Sequence, residues 1–293
     1  MKTIGVIGVG LMGMGVAKRL LERGFHVRVR DIRPEAEEEA HAAGAEVCAS
    51  PAELARGCDA VITLVVDAVQ TEDVVFGADG AAAAMTGESV LLMCSTVAPA
   101  FSEALGRRLA ERGIAMLDAP VSGGPVRARA GSMSMMMGGP AALVARCGSL
   151  LEAMSDKRFH VGEAIGDGSK AKIVNNLLAG VNLAAGCEAL ALAERLGLDA
   201  KQALDVIAQS SGASWIVEDR MRRAMEGDFA PRAAVTLLAK DLGLALDSGT
   251  AALTALPLAS VARQVFLGTI SLGHGEEDDA AVLKFYRAVG GVA

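Results

Sequence analysis

The chain has 293 residues, 52% of them hydrophobic and 22% charged, which is enough apolar material for two packed domains and too much for a disordered protein. Its formal net charge is −7 with Lys and Arg scattered, so no basic face for nucleic acid or an anionic membrane is predicted. Five cysteines (Cys48, Cys58, Cys94, Cys147 and Cys187) are odd in number, far apart and free of any C-x-x-C, a pattern that predicts reduced buried thiols rather than a disulfide frame or a zinc site.

From Met1 the chain runs straight into an apolar strand, so no signal peptide is expected and the reading is cytoplasmic. Short apolar runs predict strands near Thr3–Ile7, His26–Arg30, Glu46–Cys48, Ala60–Val65, Ser89–Met93, Ala115–Leu117, Met133–Met137 and Phe159–Val161. Amphipathic stretches between them predict helices over Met12–Arg23, Pro34–Ala43, Ala52–Arg56, Ala98–Arg112 and Pro140–Met154. This βα alternation is that of a parallel, doubly wound sheet with a mixed far edge. Beyond Gly166 and Gly168 the period is helical throughout. Ser169 is the expected N-cap of a helix of nearly thirty residues, which Asn175, Asn176, Asn182 and Glu188 make too polar for a membrane span. Shorter helices follow near Ala200–Gln209, Ser214–Met225, Ala233–Thr250, Pro257–Leu272 and Asp279–Ala288, the last opening on an acidic run, Glu276 to Asp279, read as solvated. The fold class is therefore an α/β Rossmann-type domain over residues 1–163, followed by an all-α domain over 164–293, with a long helix joining them.

The most specific local signal is Gly8-Val-Gly10-Leu11-Met12-Gly13, placed after the first strand and opening a helix. The first glycine permits the tight turn, the second lets a pyrophosphate approach the backbone, and the third lets helix and strand pack closely. Asp31 ends the second strand, where a carboxylate accepts hydrogen bonds from a ribose 2′-hydroxyl and repels a 2′-phosphate. That predicts NAD rather than NADP, although nearby Arg33 has the charge to hold a 2′-phosphate.

Four further stretches carry chemistry. In Cys94-Ser-Thr96-Val-Ala-Pro99, Thr96 reads equally as a helix N-cap or as a contact to the nicotinamide half of a dinucleotide. Asp118-Ala-Pro-Val-Ser122-Gly123-Gly124 offers a hydroxyl and backbone amides suited to a carboxylate, with an ordinary loop as the alternative. Lys172 lies about 40° from Asn176 and about 60° from Asn175 around a helix, which puts an amine and two amides at one end of it; by itself Lys172 also reads as a lysine reaching solvent. Lys240-Asp241-Leu242 sets a second lysine in an apolar helix, with Asp241 as its bland partner. The four histidines stand apart from all of these motifs, which leaves histidine acid/base or metal chemistry little support.

Four of these motifs, Gly8–Gly13, Asp118–Gly124, the Lys172–Asn176 segment and Lys240-Asp241-Leu242, in this order along nearly the whole chain, resemble the β-hydroxyacid dehydrogenase family, which includes 3-hydroxyisobutyrate dehydrogenase, tartronate semialdehyde (2-hydroxy-3-oxopropionate) reductase and L-threonate dehydrogenase. The resemblance implies that Lys172 is the catalytic acid/base and that Ser122, Gly123, Gly124, Asn175 and Asn176 hold the substrate. It implies that Gly8, Gly10, Leu11, Met12, Gly13, Asp31, Thr96 and Lys240 hold the cofactor, with no metal, and that the chain forms a homodimer or homotetramer acting on a small anionic hydroxy acid. The loop Ser210-Ser-Gly-Ala-Ser214-Trp215 looks closer to the L-threonate dehydrogenases than to the reductases. Ser122, Asn175, Asn176, Ser211 and Ser214 beside Trp215 would make a hydrogen-bonding wall, so the expected substrate is a polyhydroxylated four-carbon acid, L-threonate first. The three-carbon pair D-glycerate and tartronate semialdehyde stands second, ahead of 3-hydroxyisobutyrate. A non-catalytic NAD-binding sensor would not need Lys172, and imine reductases, which share the fold, typically lack a lysine there.

Overall fold

The strands at the centre of the sheet are near-continuous apolar runs because both faces are covered. In Val90–Met93, for example, Val90 and Leu92 enter one core while Leu91 and Met93 enter the other. The computed structural model of the protein describes residues 1–290. Contacts divide the chain into two units, Met1–Lys172 and a second from Ile173 onward. The division falls inside helix α9 (Asp167–Arg195), which both units share, whereas the sequence reading placed it at 163/164, ahead of that helix.

In the first unit, β1 (Thr3–Ile7), β2 (His26–Arg30), β3 (Glu46–Val47), β4 (Ala60–Thr63), β5 (Val90–Met93) and β6 (Ala115–Asp118) are parallel in the order 3-2-1-4-5-6. The crossovers are α1 (Leu11–Glu22), α2 (Pro34–Ala42), α3 (Pro51–Ala55), α4 (Ala68–Phe76) and α5 (Pro99–Ala110). After β1 the chain winds to one side, and after β3 it returns to the other, which opens a crevice at the carboxyl ends of β1 and β4. Beyond β6 the edge is mixed: β7 (Val121–Ser122) and β6 pair antiparallel with β8 (Ser134–Gly138), and β9 (Lys157–Gly162) pairs parallel with β8. Helices α6 (Gly124–Ala130), α7 (Ala141–Arg146) and α8 (Gly148–Met154) complete this unit before α9.

The structure adds elements that the periodicity did not predict. Helix α4 is rich in β-branched residues yet is capped by the Asp67 carboxylate, which accepts from the Gln70 amide at 2.8 Å. β7 and α6 are too short to show a period, and the helix expected over 140–154 breaks at Cys147-Gly148. The helix expected to run through Leu272 ends as α13 (Pro257–Thr269), because a π turn with Gly273 at φ +91° follows it.

The second unit packs the later part of α9 with α10 (Ala200–Ala208), α11 (Trp215–Ala224), α12 (Val235–Ala251), α13 and α14 (Val282–Gly290), around Leu183, Cys187, Met221, Leu242 and Phe266. A Cβ on Gly186 would stand 2.6 Å from Val217, so that glycine lets α9 and α11 approach. Among the described residues α9 alone is long and apolar enough to cross a membrane, and Leu183, Cys187 and Leu190 on it belong to this core. The acidic run is not solvated as expected: Asp278 and Asp279 are 0% and 2% exposed. They meet two arginines of α11, Arg220 Nε donating to Asp279 at 2.6 Å and Arg223 Nη1 to Asp278 at 3.2 Å. Burial pushes the Asp279 carboxyl up to about 7 against the pull of Arg220.

Candidate active site

β1 delivers the chain to Gly8 at φ +88°, where a Cβ would stand 2.7 Å from the Leu64 carbonyl oxygen. A Cβ on Gly13 would stand 1.9 Å from the Gly8 carbonyl oxygen, so the protein's own packing requires both glycines. Gly10 differs. Its φ is −64°, open to any residue, and a Cβ there would meet only Arg33 Nη2 at 3.4 Å. What its bare backbone leaves open is the N-terminus of α1, which has no side-chain cap and no acid in its first turn. A pyrophosphate fits that opening: orphan amides and the positive end of the helix dipole face an accessible backbone. Leu11, 56% exposed, and Met12 form the first turn beside it. A groove of ≈ 600 Å³ adjoins this turn, lined in part by Gly10, Leu11, Lys18, Arg33, Val126 and Arg129.

Asp31 follows β2 and is buried. Its Oδ1 accepts from the Arg33 amide at 3.0 Å and from Arg33 Nε at 3.1 Å, while Oδ2 has only a 3.4 Å contact with Arg33 Nη2. The carboxylate thus holds the arginine and keeps acceptor capacity for a ribose hydroxyl. Thr96 follows β5 at the same carboxyl edge, and Ala98 occupies the N-cap position of α5 with Pro99 next, so Thr96 is not that helix's cap. Ser122 ends β7, and Gly123 and Gly124 follow with φ of +128° and +76°, a turn that favours glycine at both positions.

The start of α9 departs from the sequence reading. The helix begins at Asp167, and Ser169 does not cap it. Instead the carboxylate of Asp118, at the end of β6, accepts from the Gly166 amide at 3.0 Å, the Ser169 amide at 2.8 Å and the Ser169 hydroxyl at 2.8 Å. Burial pushes the Asp118 carboxyl above its usual range, against the lowering pull of these donors. Lys172 lies three residues, just under a full turn, beyond Ser169 and is 6% exposed.

In the second unit, Asn176, 7% exposed, donates from Nδ2 to Asp241 Oδ2 at 2.6 Å, and its Oδ1 accepts from Asn175 Nδ2 at 2.9 Å. Because a carboxylate only accepts, Asp241 sets which way the Asn176 amide points. Lys240 Nζ stands 3.0 Å from Asp241 Oδ1, so the bland partner proposed for this lysine is present. Asn175, Asn176 and Lys240 are therefore joined through Asp241. Ser210 and Ser211 sit in an exposed loop, and Ser214 Oγ accepts from Asn182 Nδ2 at 3.3 Å rather than capping α11.

Residues 3–162 match the family described as the NAD binding domain of 6-phosphogluconate dehydrogenase, and residues 166–286 the one described as NAD-binding of NADP-dependent 3-hydroxyisobutyrate dehydrogenase. An L-threonate dehydrogenase from Cupriavidus necator is 50% identical over 288 residues, 98% of this chain and 97% of that one. The L-threonate dehydrogenase of Escherichia coli K12 is 39% identical, over 98% and 95% of the two chains. The chain belongs to the β-hydroxyacid dehydrogenase family. A crystal structure described as 3-hydroxyisobutyrate dehydrogenase from Salmonella typhimurium superimposes with a TM-score of 0.90 at 39% identity, over 97% of this chain and 99% of that one.

As a β-hydroxyacid dehydrogenase, the protein is an oxidoreductase that uses a nicotinamide dinucleotide to act on a hydroxy acid. Its cysteines are all free and buried, and burial pushes the Cys58 and Cys147 thiols up to about 11, well away from a reactive thiolate. Two residues of this dehydrogenase gained a place that sequence reasoning had not given them. Asp118 was visible only as the head of the loop motif, and Asp241 only as a neighbour of Lys240. Neither partner set has a local signal, since Asp118 reaches Ser169 across 51 residues and Asp241 reaches Asn176 across 65.

Proposed function

We propose that this β-hydroxyacid dehydrogenase oxidises L-threonate with NAD, and that Lys172 is its acid/base. The observation that carries the catalytic assignment is a buried lysine one turn ahead of a buried asparagine on one helix, with the asparagine amide oriented by a carboxylate. When bound, the nicotinamide takes the hydride from the carbinol carbon. The Lys172 amine accepts the hydroxyl proton in oxidation and returns it to the carbonyl oxygen in reduction. A solvated lysine is protonated near neutral pH, and the oxidation requires its neutral amine. Ser122 and the Gly123 and Gly124 backbone hold the substrate carboxylate, Asn175 and Asn176 hold its hydroxyls, and Lys240 and Thr96 contact the cofactor. The Gly8–Gly13 loop, with Leu11 and Met12, seats the pyrophosphate. Asp31 selects NAD.

The substrate assignment rests on the 50% identical relative named L-threonate dehydrogenase, which the chain matches over 98% of its length. The second reading is a three-carbon hydroxy acid, since a hydrogen-bonding site serves D-glycerate as well. Lys172 together with both asparagines argues against the sensor and the imine reductase. The protein acts in the cytoplasm as a homodimer or homotetramer in this reading, which sedimentation of the purified chain would test.

The experiment is kcat/KM for L-threonate, D-glycerate and 3-hydroxyisobutyrate with NAD, measured for the parent enzyme and for Lys172→Ala. L-threonate should be best, and Lys172→Ala should lose at least about 10²-fold in kcat, because general acid/base catalysis contributes roughly that much or more. A parent that prefers 3-hydroxyisobutyrate overturns the substrate assignment, and a variant keeping more than about a tenth of the turnover overturns the lysine.

A further inference from the structure

The carboxylate of Asp118 is wholly buried, 0% exposed, and its three shortest donors are the Gly166 amide just ahead of α9 and the Ser169 amide and hydroxyl in its first turn. A cap for helix stability alone needs no such burial, since an exposed serine or aspartate does the same for about 1 kcal/mol. The turn is also seated on bare backbone: a Cβ on Gly168 would stand 2.3 Å from the Asp118 carbonyl oxygen and 2.6 Å from that of Met136, and one on Gly138 would stand 2.6 Å from the Gly168 amide nitrogen. No side chain separates the beginning of α9 from β6 and β8. Lys172 comes three residues after Ser169, about 4.5 Å along a helix whose first turn is held at the Ser169 amide and hydroxyl.

We propose that Asp118 is the positioning residue for Lys172: by capping α9 from the end of β6, it fixes the lysine relative to the sheet edge that carries the glycine loop, Thr96 and Ser122. The inference rests on the assignment of Lys172 as acid/base. A helix start that loses its cap frays, and the residue one turn on inherits the displacement. Misplacement of a reacting group by about 1 Å costs on the order of 10²-fold in rate.

Asp118→Ala and Asp118→Asn separate positioning from folding. The alanine leaves the Gly166 and Ser169 amides without an acceptor, whereas the asparagine keeps one oxygen for both amides and an NH₂ group that the Ser169 hydroxyl accepts from. With saturating NAD and hydroxy acid, Asp118→Ala should lose about 10²-fold in kcat while the Kd for NAD, titrated calorimetrically, stays within about 2-fold; Asp118→Asn should recover kcat to within about 10-fold of the parent. An alanine variant that turns over within about 3-fold of the parent, or that loses NAD affinity in proportion to kcat, overturns the proposal. Should the alanine chain not fold, Ser169→Ala, which removes the hydroxyl that donates to Asp118, decides. A fall in kcat with unchanged NAD affinity and a displaced limb in the kcat–pH profile supports positioning, and an unchanged kcat and profile overturns it. Lys172→Ala, run alongside, tells the two assignments apart: if that variant is inactive and Asp118→Ala is not, the lysine stands and the positioning role falls.

Discussion

Gly10 and Gly13 stand three residues apart in the same loop, yet adding one methyl group to each should have different consequences. At Gly13 the methyl would stand 1.9 Å from the Gly8 carbonyl oxygen, against the 3.4 Å at which ordinary contact begins, so α1 and the loop have to separate by about 1.5 Å. The obstacle is backbone and cannot rotate away. Val16, Ala17 and Leu20 on the same helix are 0–1% exposed, so the displacement also disturbs the core; the cost belongs near the top of the 1–3 kcal/mol range for overpacking, about 3 kcal/mol. At Gly10 the methyl meets only the tip of Arg33 at 3.4 Å, and φ of −64° suits alanine, so stability should stay within about 0.5 kcal/mol of the parent. The added methyl would instead occupy the opening over the α1 N-terminus. Losing one hydrogen bond from an amide to a charged phosphate oxygen costs about 1.5–3 kcal/mol, or roughly 10- to 150-fold in Kd. Calorimetric NAD titration and urea unfolding of Gly10→Ala and Gly13→Ala give both quantities. Gly13→Ala should lose stability and affinity together, Gly10→Ala affinity alone. A Gly10→Ala protein that binds NAD as the parent does, or one destabilised as much as Gly13→Ala, would refute this account of the loop.

Asp31→Ala should weaken NAD more than NADP and so narrow the ratio of their kcat/KM values; equal or better kinetics with NADP in the parent would show that Arg33, not Asp31, dominates the pocket. Arg220→Met removes the counter-charge of a buried Asp279, so urea unfolding at pH 8, where that carboxyl is ionised, should show a loss of about 3–5 kcal/mol, and a loss under about 1 kcal/mol would mean that the pair is hydrated. Asp279 titrates at about 7 in the folded protein, above its ordinary value near 3.9, so the stability it contributes is complete below about pH 4 and is lost as pH rises through 7. Urea midpoints at pH 5 and pH 8 should therefore fall further for the parent than for Asp279→Asn, and equal falls would assign the pH dependence to other groups.

What could be read directly from the residues was local. The short apolar runs of the central strands and the period of α9 are properties of neighbouring residues, and a glycine turn between strand and helix is specified within six positions, Gly8 to Gly13. The spacing of Lys172 and Asn176 likewise needs only helix geometry to place them on one side of an axis. The short β7 and α6 escaped because two and seven residues carry no measurable period, and α4 because a cap outweighed its β-branched composition. Only the tertiary structure could decide which side chain meets which orphan amide. Ser169 has the chemistry of an N-cap, but the order of strands in the sheet brings Asp118 to the same turn, and a buried carboxylate with three donors displaces the serine from that role. For the same reason Asp278 and Asp279, which as a run of acids read as solvated, are buried: the arginines that neutralise them stand on α11, more than fifty residues earlier in the chain. Secondary structure depends on neighbours a few residues apart, whereas the partners of a buried charge depend on where the fold returns the chain.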